Sequence, residues 1–240
     1  MRLFRFALAL TLPLAASACG DDDGGVIKTI TYTGTIVNGV DLTPLAGVQI
    51  CFISESTLPC VNTNSSGAYS ISNIPAEEQV EVEVTKEGFV SVAANFISRA
   101  SDFSISAQMF PEEAVEAAFA LTGETFDDTK GGLLVRVYDP ALGQEAGGLA
   151  GVAVDIEPSA GIGPFYSDGL TFNTTATETT AVGNAIFGNL DTRSYRVSFD
   201  SDTHDCAGTY HWKASDGRLD AVVKAGFATY MYVDCTAKAP

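Results

Sequence analysis

Leu45-Ala46-Gly47-Val48-Gln49-Ile50 and Leu149-Ala150-Gly151-Val152-Ala153-Val154 are two versions of one phrase, and they decide the fold. Working outward, Gly67-Ala68-Tyr69-Ser70-Ile71-Ser72-Asn73-Ile74 is matched by Gly183-Asn184-Ala185-Ile186-Phe187-Gly188-Asn189-Leu190. A third pair follows in the same order, Val80-Glu81-Val82-Glu83-Val84 and Tyr195-Arg196-Val197-Ser198-Phe199. The chain of 240 residues therefore carries one unit twice.

The repeated segments have strand periodicity. Val80, Val82 and Val84 alternate with Glu81 and Glu83, Tyr69 and Ile71 with Ser70 and Ser72, and Tyr195, Val197 and Phe199 with Arg196, Ser198 and Asp200. A period of two with one apolar and one polar face marks antiparallel sheets with one wet side. Between them lie turn clusters: Asn38-Gly39, Asn62-Thr63-Asn64-Ser65-Ser66-Gly67 and Asp216-Gly217. Gly47 and Gly151 stand before an inward valine at a strand start. Gly67 and Gly183 are expected to take positive φ in the turn before the next strand. Short strands with such turns and little helix predict β-sandwiches.

The first copy, with Pro44-Leu45-Ala46-Gly47-Val48, Gly67-Ala68-Tyr69, Asn73-Ile74-Pro75 and the closing Lys86-Glu87-Gly88-Phe89, resembles the carboxypeptidase regulatory-like domain. The match runs from about Thr33 to Phe96. The second copy is looser, with an insert over Glu157 to Glu178 and no Lys-Glu-Gly-Phe ending. The resemblance implies an all-β chain of two tandem transthyretin-like β-sandwich domains, accessory in role and without catalytic residues. The expected boundaries are 27–107 and 131–237, with a helical connector over 108–130.

Within that connector, Pro111 to Leu121 reads as one helix. Pro111 suits the first turn, Glu112 and Glu113 complement the positive helix end, and Gly123 is the stop. Val115, Ala118, Phe119 and Leu121 mark the side expected to face a domain.

The first residues have a different character. Arg2 and Arg5 precede an apolar run from Phe6 to Leu14 and the small residues Ala15-Ala16-Ser17-Ala18-Cys19. This is the layout of a secretory signal peptide, expected over 1–18. A cysteine directly after the small residues resembles the lipobox of bacterial lipoproteins. That resemblance implies a lipid-bearing Cys19, a tether over 19–26 with Asp21-Asp22-Asp23-Gly24-Gly25, and a place in the bacterial envelope, anchored by acyl chains at the outer membrane. A metal held by the three adjacent aspartates is the lesser reading beside a solvated tail.

Cysteine usage fits export. Cys51, Cys60, Cys206 and Cys235 remain after Cys19, and an even count in an exported chain predicts disulfides. Three connectivities are possible. The two-unit reading favours Cys51–Cys60 and Cys206–Cys235, each closing within one unit. A zinc site lacks any CxxC pair and histidines at ligand spacing.

The formal charge is −17, and loss of the signal removes two basic residues and no acid. Such a surface disfavours nucleic acid and anionic lipid head groups as partners. No glycine cluster is placed to cradle a phosphate, and no cofactor is expected.

Transthyretin-like folds also host enzymes, whose signatures this sequence lacks. The chain has two histidines, His204 and His211, and lacks the closely spaced pair that ferric dioxygenases use. It ends Thr236-Ala237-Lys238-Ala239-Pro240, not in the Tyr-Arg-Gly-Ser of hydroxyisourate hydrolases. No nucleophile-elbow motif is present. A lysine–asparagine crosslink through Lys28 and a calcium site over Asp200 to Asp205 are minor alternatives to solvated surface. Asn64-Ser65-Ser66 and Asn173-Thr174-Thr175 have the sequon pattern, but a bacterial lipobox argues against glycosylation there.

Tyr210, His211 and Trp212, with Tyr230 and Tyr232, form the densest aromatic group in the sequence. Tyrosine and tryptophan on an exposed face stack on sugars or anchor proteins. Tyr230 and Tyr232 also alternate in a strand, which reads equally as packing. The expected function is non-enzymatic: binding, adhesion or scaffolding at the cell surface or in the periplasm, with an envelope protein as partner. The alternative is carbohydrate capture, with Tyr210, Trp212, Tyr230 and Tyr232 as the platform.

Overall fold

The structure is a computed structural model and describes residues 28–55, 57–143, 147–168, 171–209, 211 and 218–238. The expected signal peptide, Cys19, the tether, Tyr210, Trp212 and the Asp216-Gly217 turn lie outside the described residues.

The first unit comprises β1 (Thr29–Asn38), β2 (Gln49–Phe52), β3 (Val61–Asn62), β4 (Ala68–Pro75), β5 (Gln79–Thr85), β6 (Ser91–Ile97), β7 (Phe103–Ser104) and β8 (Ala107–Met109). One layer runs β4-β1-β7, with β8 also paired to β1. The facing layer runs β3-β2-β5-β6. Val80 and Val82 of the Val-Glu-Val-Glu-Val strand point between the layers with Ile30, Tyr32, Ile36, Val48, Ile50, Phe52, Ile71, Ile74 and Met109, all buried, and the half-buried Val84 packs against them.

Helix α1 (Glu112–Leu121) follows, with Glu112 and Glu113 in its first turn and a chain reversal at Gly123 (φ +84°). The second unit comprises β9 (Gly131–Tyr138), β10 (Ala153–Glu157), β11 (Ile162–Ser167), β12 (Phe172–Asn173), β13 (Asn184–Leu190), β14 (Arg193–Asp200), β15 (His204–Cys206), β16 (Leu219–Val223) and β17 (Phe227–Ala237). Its layers are β10-β14-β16 and β12-β11-β13-β9-β17. A separate core of Leu133, Val135, Val137, Val152, Val154, Phe187, Tyr195, Val197, Met231 and Val233 lies between them.

The two copies are built alike down to single turns. The carbonyls of Gly67 (φ +71°) and Gly183 (φ +78°) each accept from the first strand of their unit, from Ile36 N at 2.9 Å and Val137 N at 2.8 Å. A Cβ on either would run into the carbonyl of that same strand residue, so both positions require glycine for space as well as for φ. The long insert of the second copy is not loose: it supplies β11 and β12, which extend the sheet beyond β13. Both sequon asparagines are turn formers. Asn64 Oδ1 accepts from Ser66 N and Ala68 N, and Asn173 Oδ1 from Thr175 N and Ala176 N.

The units are joined by more than the helix. β17 pairs in parallel with β9 of its own unit and, on its other side, with β6 of the first, over Phe227 to Tyr230 against Ser91 to Ala94. The two layers thereby merge into one ten-stranded sheet. Residues paired across a ladder share a face. Phe52, Val82, Ala94, Tyr230 and Leu134 are on one face; Cys51, Glu83, Ala93, Thr229 and Leu133 are on the other. The first core uses the former face and the second core the latter. The shared sheet is therefore the middle of three layers, with β4-β1-β7 and β10-β14-β16 on its opposite sides.

The helix corrects one expectation. Phe119 is buried and Val115 and Ala118 half-buried, but Leu121 is 78% exposed. Two residues at 100° each carry Leu121 to the far side of the helix from Phe119. Phe119 docks on Gly188, where a Cβ would lie 2.5 Å from its ring, among Phe126, Phe165 and Phe172.

Candidate functional site

The junction between the units has the densest set of polar contacts spanning both. Lys224, in the turn between β16 and β17, reaches back to the first unit and pairs with Glu83 and, at 3.5 Å, with Glu81. Glu81 and Glu83 are on the polar face of β5, which the Val-Glu alternation places away from the first core. The bond to Glu83 raises the Lys224 pKa, partial burial opposes this, and the nearby charges of Glu83 and Glu81 add to the rise. The Lys224 ammonium also lies over the Phe227 ring, with Nζ 5.2 Å from its centroid. Asn95, opposite Glu81, is 3% exposed, and its Oδ1 has no hydrogen-bond partner among the described residues.

Tyr230 and Tyr232 are half-buried on the face of β17 that looks toward the first unit. The Tyr230 hydroxyl donates to Gln108 O at 3.4 Å, and desolvation raises its pKa well above the usual phenol range, with Tyr232 adding to the rise. Tyr230 is thus a junction residue. Two of the four residues of the expected aromatic platform, Tyr210 and Trp212, lie outside the described residues. The aromatic clusters the structure does assemble are elsewhere: Tyr32, Phe52, Phe96 and Phe103 in the first unit, and the Phe119 group under the helix.

The two histidines are in different settings. His211 is 2% exposed, bridges to Phe96 of β6, and donates from Nε2 to Asp220 O at 3.0 Å. His204 lines a shallow cleft of about 350 Å³ with Asp200, Ser201, Asp205, Cys206 and Lys238. Its Nδ1 is 2.8 Å from Thr203 Oγ1, which in turn is 3.5 Å from Ser201 Oγ. A serine–histidine pair needs a direct bond of about 2.6–3.2 Å, with the second imidazole nitrogen held by a carboxylate. Here threonine stands between them. In the same cleft Lys238 Nζ donates to Ser201 O at 2.6 Å and is 3.9 Å from Asp205, so an ammonium competes there with any cation. Among the described residues no group of three or more metal-ligating side chains is assembled.

Cys51–Cys60 and Cys206–Cys235 are both bonded, each within one unit. The first ties β2 to the loop before β3, and the second spans paired positions of β15 and β17. Lys28 is exposed just before β1, where its carbonyl accepts from Ala76 N. No crosslink to an asparagine involves it among the described residues.

No protein-family model matches the chain. A stretch of 105 residues is 30% identical to part of Chitinase ChiA of Flavobacterium johnsoniae, covering 44% of this chain and 6% of that protein. The chain thus spans a small fraction of the curated relative it matches. Among solved structures it is similar to the GBS52 minor pilin of Streptococcus agalactiae, at 12% identity and a TM-score of 0.28 over 88% of this chain and 98% of that one. It is also similar to a Streptococcal ancillary pilin, at 11% identity and a TM-score of 0.27 over 88% and 63%. A third is a type II cohesin–X-dockerin complex from Acetivibrio cellulolyticus, at 19% identity and a TM-score of 0.29 over 34% and 58%. Likenesses this distant carry no argument about function.

Proposed function

We propose that the chain is an exported, non-catalytic envelope lipoprotein: a signal peptide over 1–18, a lipidated Cys19 with an acidic tether, and two transthyretin-like sandwiches over 27–107 and 131–237 that serve binding, adhesion or scaffolding. The observation that carries the reading of the body is the β6–β17 joint. Neighbouring domains in one chain usually move against each other. Here bending requires breaking a backbone ladder, the Lys224 pairs and the Tyr230 bond together. A stiff two-unit body at the end of a short tether suits holding a partner at a fixed distance from a membrane. The lipid anchor rests on the sequence around Cys19.

The test is protease accessibility of a C-terminal tag on intact and lysed cells, alongside membrane retention of Cys19→Ser. Tag cleavage on intact cells with release of Cys19→Ser supports a surface adhesin or scaffold. Protection until lysis moves the role to the periplasm. Membrane retention of Cys19→Ser overturns the anchor.

Carbohydrate capture is a second reading, favoured by the stretch similar to a chitinase. Retention of the chain on insoluble chitin, weakened by Tyr232→Ala, supports it; free passage through the matrix rejects it.

A further inference from the structure

Sheet edges expose unpaired backbone groups, and folded proteins guard them with short strands, charges or cover. The edges here follow that rule with one departure. β3 and β12 are two residues long, as is β7, and β8 and β15 are three. β10 carries Asp155 and Glu157. The outward carbonyls of β16 at Asp220 and Val222 accept from His211 Nε2 and Thr229 Oγ1. The inter-unit edge of β6 is taken by β17. β4 is eight residues long and uncharged; a bulge at Ser72 and Asn73 (Asn73 φ +66°) and Pro75 guard its far end, but from Ala68 to Ser72 it is paired on one side alone among the described residues.

The second unit shows what such an edge accepts. Its counterpart of β4 is β13, by the match of Gly67 onward with Gly183 onward. β13 is covered by β11, with Ile186 against Phe165 and Ala185 against Tyr166. The first unit has no insert to do the same. Ala68 is closed off by the Asn64 turn, which leaves the edge open at Ser70 and Ser72, up to the bulge at Asn73.

The surroundings select the occupant. β1, β4, β7 and β8 contain no charged residue, in a chain of net charge −17. Two copies of so acidic a protein repel over most of their surface. At β4 no carboxylate on either strand faces its twin. The outer face beside it carries a row of hydroxyls, with Thr31 Oγ1 bonded to Ser72 Oγ at 3.2 Å and Thr35 to Ser106 at 2.9 Å. Asp102, which accepts from Thr31 N, precedes β7 on the far side of β1.

We propose that β4 pairs antiparallel with β4 of a second copy about a two-fold axis, fusing the two β4-β1 sheets into one. A two-fold normal to the sheet keeps Ser70 and Ser72 of both copies on the hydroxyl face and Ile71 of both on the core face. The interface is isologous and closes at two copies. It is independent of what the body binds and of where Cys19 holds it.

The test is site-specific photo-crosslinking in cells that co-express two differently tagged full chains. Benzoylphenylalanine replaces Ser72 in one set and Ser198, exposed on β14, in a control. The expected result is a product carrying both tags from position 72, absent from position 198, and lost when Ser70→Lys is added without a change in thermal midpoint. A product with another protein from position 72, no product, or a dimer that survives Ser70→Lys overturns the proposal. Sedimentation velocity of the unsubstituted full chain in detergent gives a second readout, free of any folding defect in the variants. A monomer at every soluble concentration also overturns it.

Discussion

Thr63 and Thr179 make the same buried clasp in the two units. Thr63 Oγ1 donates to Leu45 O at 2.6 Å and accepts from Val48 N at 2.9 Å; Thr179 Oγ1 donates to Leu149 O at 2.7 Å and accepts from Val152 N at 3.1 Å. Their backbones repeat the match, with Gly47 N on Thr63 O and Gly151 N on Thr179 O. Each hydroxyl closes the Leu-Ala-Gly-Val turn, and that turn aims Val48 and Val152 into their cores, where both are fully buried.

Valine is the shape match for threonine without the hydroxyl. Thr63→Val and Thr179→Val each strand a buried N–H and carbonyl, which costs about 1–3 kcal/mol. We expect the two variants to lower the midpoint of urea unfolding by similar amounts. A neutral outcome for both would mean that water reaches the turn and replaces the clasp.

The repeat was legible because its signals are local. Strand alternation at Val80 to Val84, the glycine turns at Gly67 and Gly183, and the within-unit cysteine pairing all follow from residues close in sequence. The clasp was not legible, since Thr63 in a run of Asn and Ser reads as one more turn residue. The β6–β17 joint was hidden for a different reason: parallel pairing of distant strands leaves no turn signature. A trace of it exists in Val92-Ala93-Ala94, an apolar run without alternation, as expected of a strand covered on both faces. The docking site of the helix was likewise unreadable, because Phe165 and Phe172 come from the insert that breaks the repeat.

Phe119 and Gly188 depend on each other. Phe119→Ala removes a ring that is 4% exposed and costs about 3 kcal/mol. Gly188→Ala places a methyl where that ring sits and must expel it. The double variant is expected to lose little more than either single one, since both undo the same contact. Amide exchange in α1 reads this directly: it should rise in all three variants. Unchanged protection in Gly188→Ala would show that the ring moves aside at no cost.

Lys224 ties the units electrostatically, and its pH dependence has a definite sign. Its folded pKa is raised, so the stabilisation is complete below the ordinary lysine range and fades as pH rises through the folded value. At 34% exposure the pair is screened, and Lys224→Met should cost only about 0.5–1 kcal/mol at neutral pH. The unsubstituted chain should lose stability above about pH 10.5 more steeply than Lys224→Met. A pair of spin labels, one on each unit, should show a single narrow distance at pH 7 that broadens only in alkali. Identical alkaline profiles for the two proteins would place the hold on the backbone ladder alone.

The two disulfides differ chiefly in the length of chain they close, 9 residues for Cys51–Cys60 and 29 for Cys206–Cys235. If each acts by restricting the unfolded chain, paired alanine replacement costs about 2.5 kcal/mol for the short loop and about 3.5 kcal/mol for the long one. The long loop also encloses His211 and β16, so its loss frees the stretch whose contacts occupy the β16 edge. Denaturant unfolding of Cys51→Ala/Cys60→Ala and Cys206→Ala/Cys235→Ala separates these contributions. Equal costs would argue that native contacts, not loop closure, set the value of each bond. A much larger cost at Cys206–Cys235, with protease cleavage appearing before β16, would show that the second bond holds the inter-unit side of the second sandwich shut.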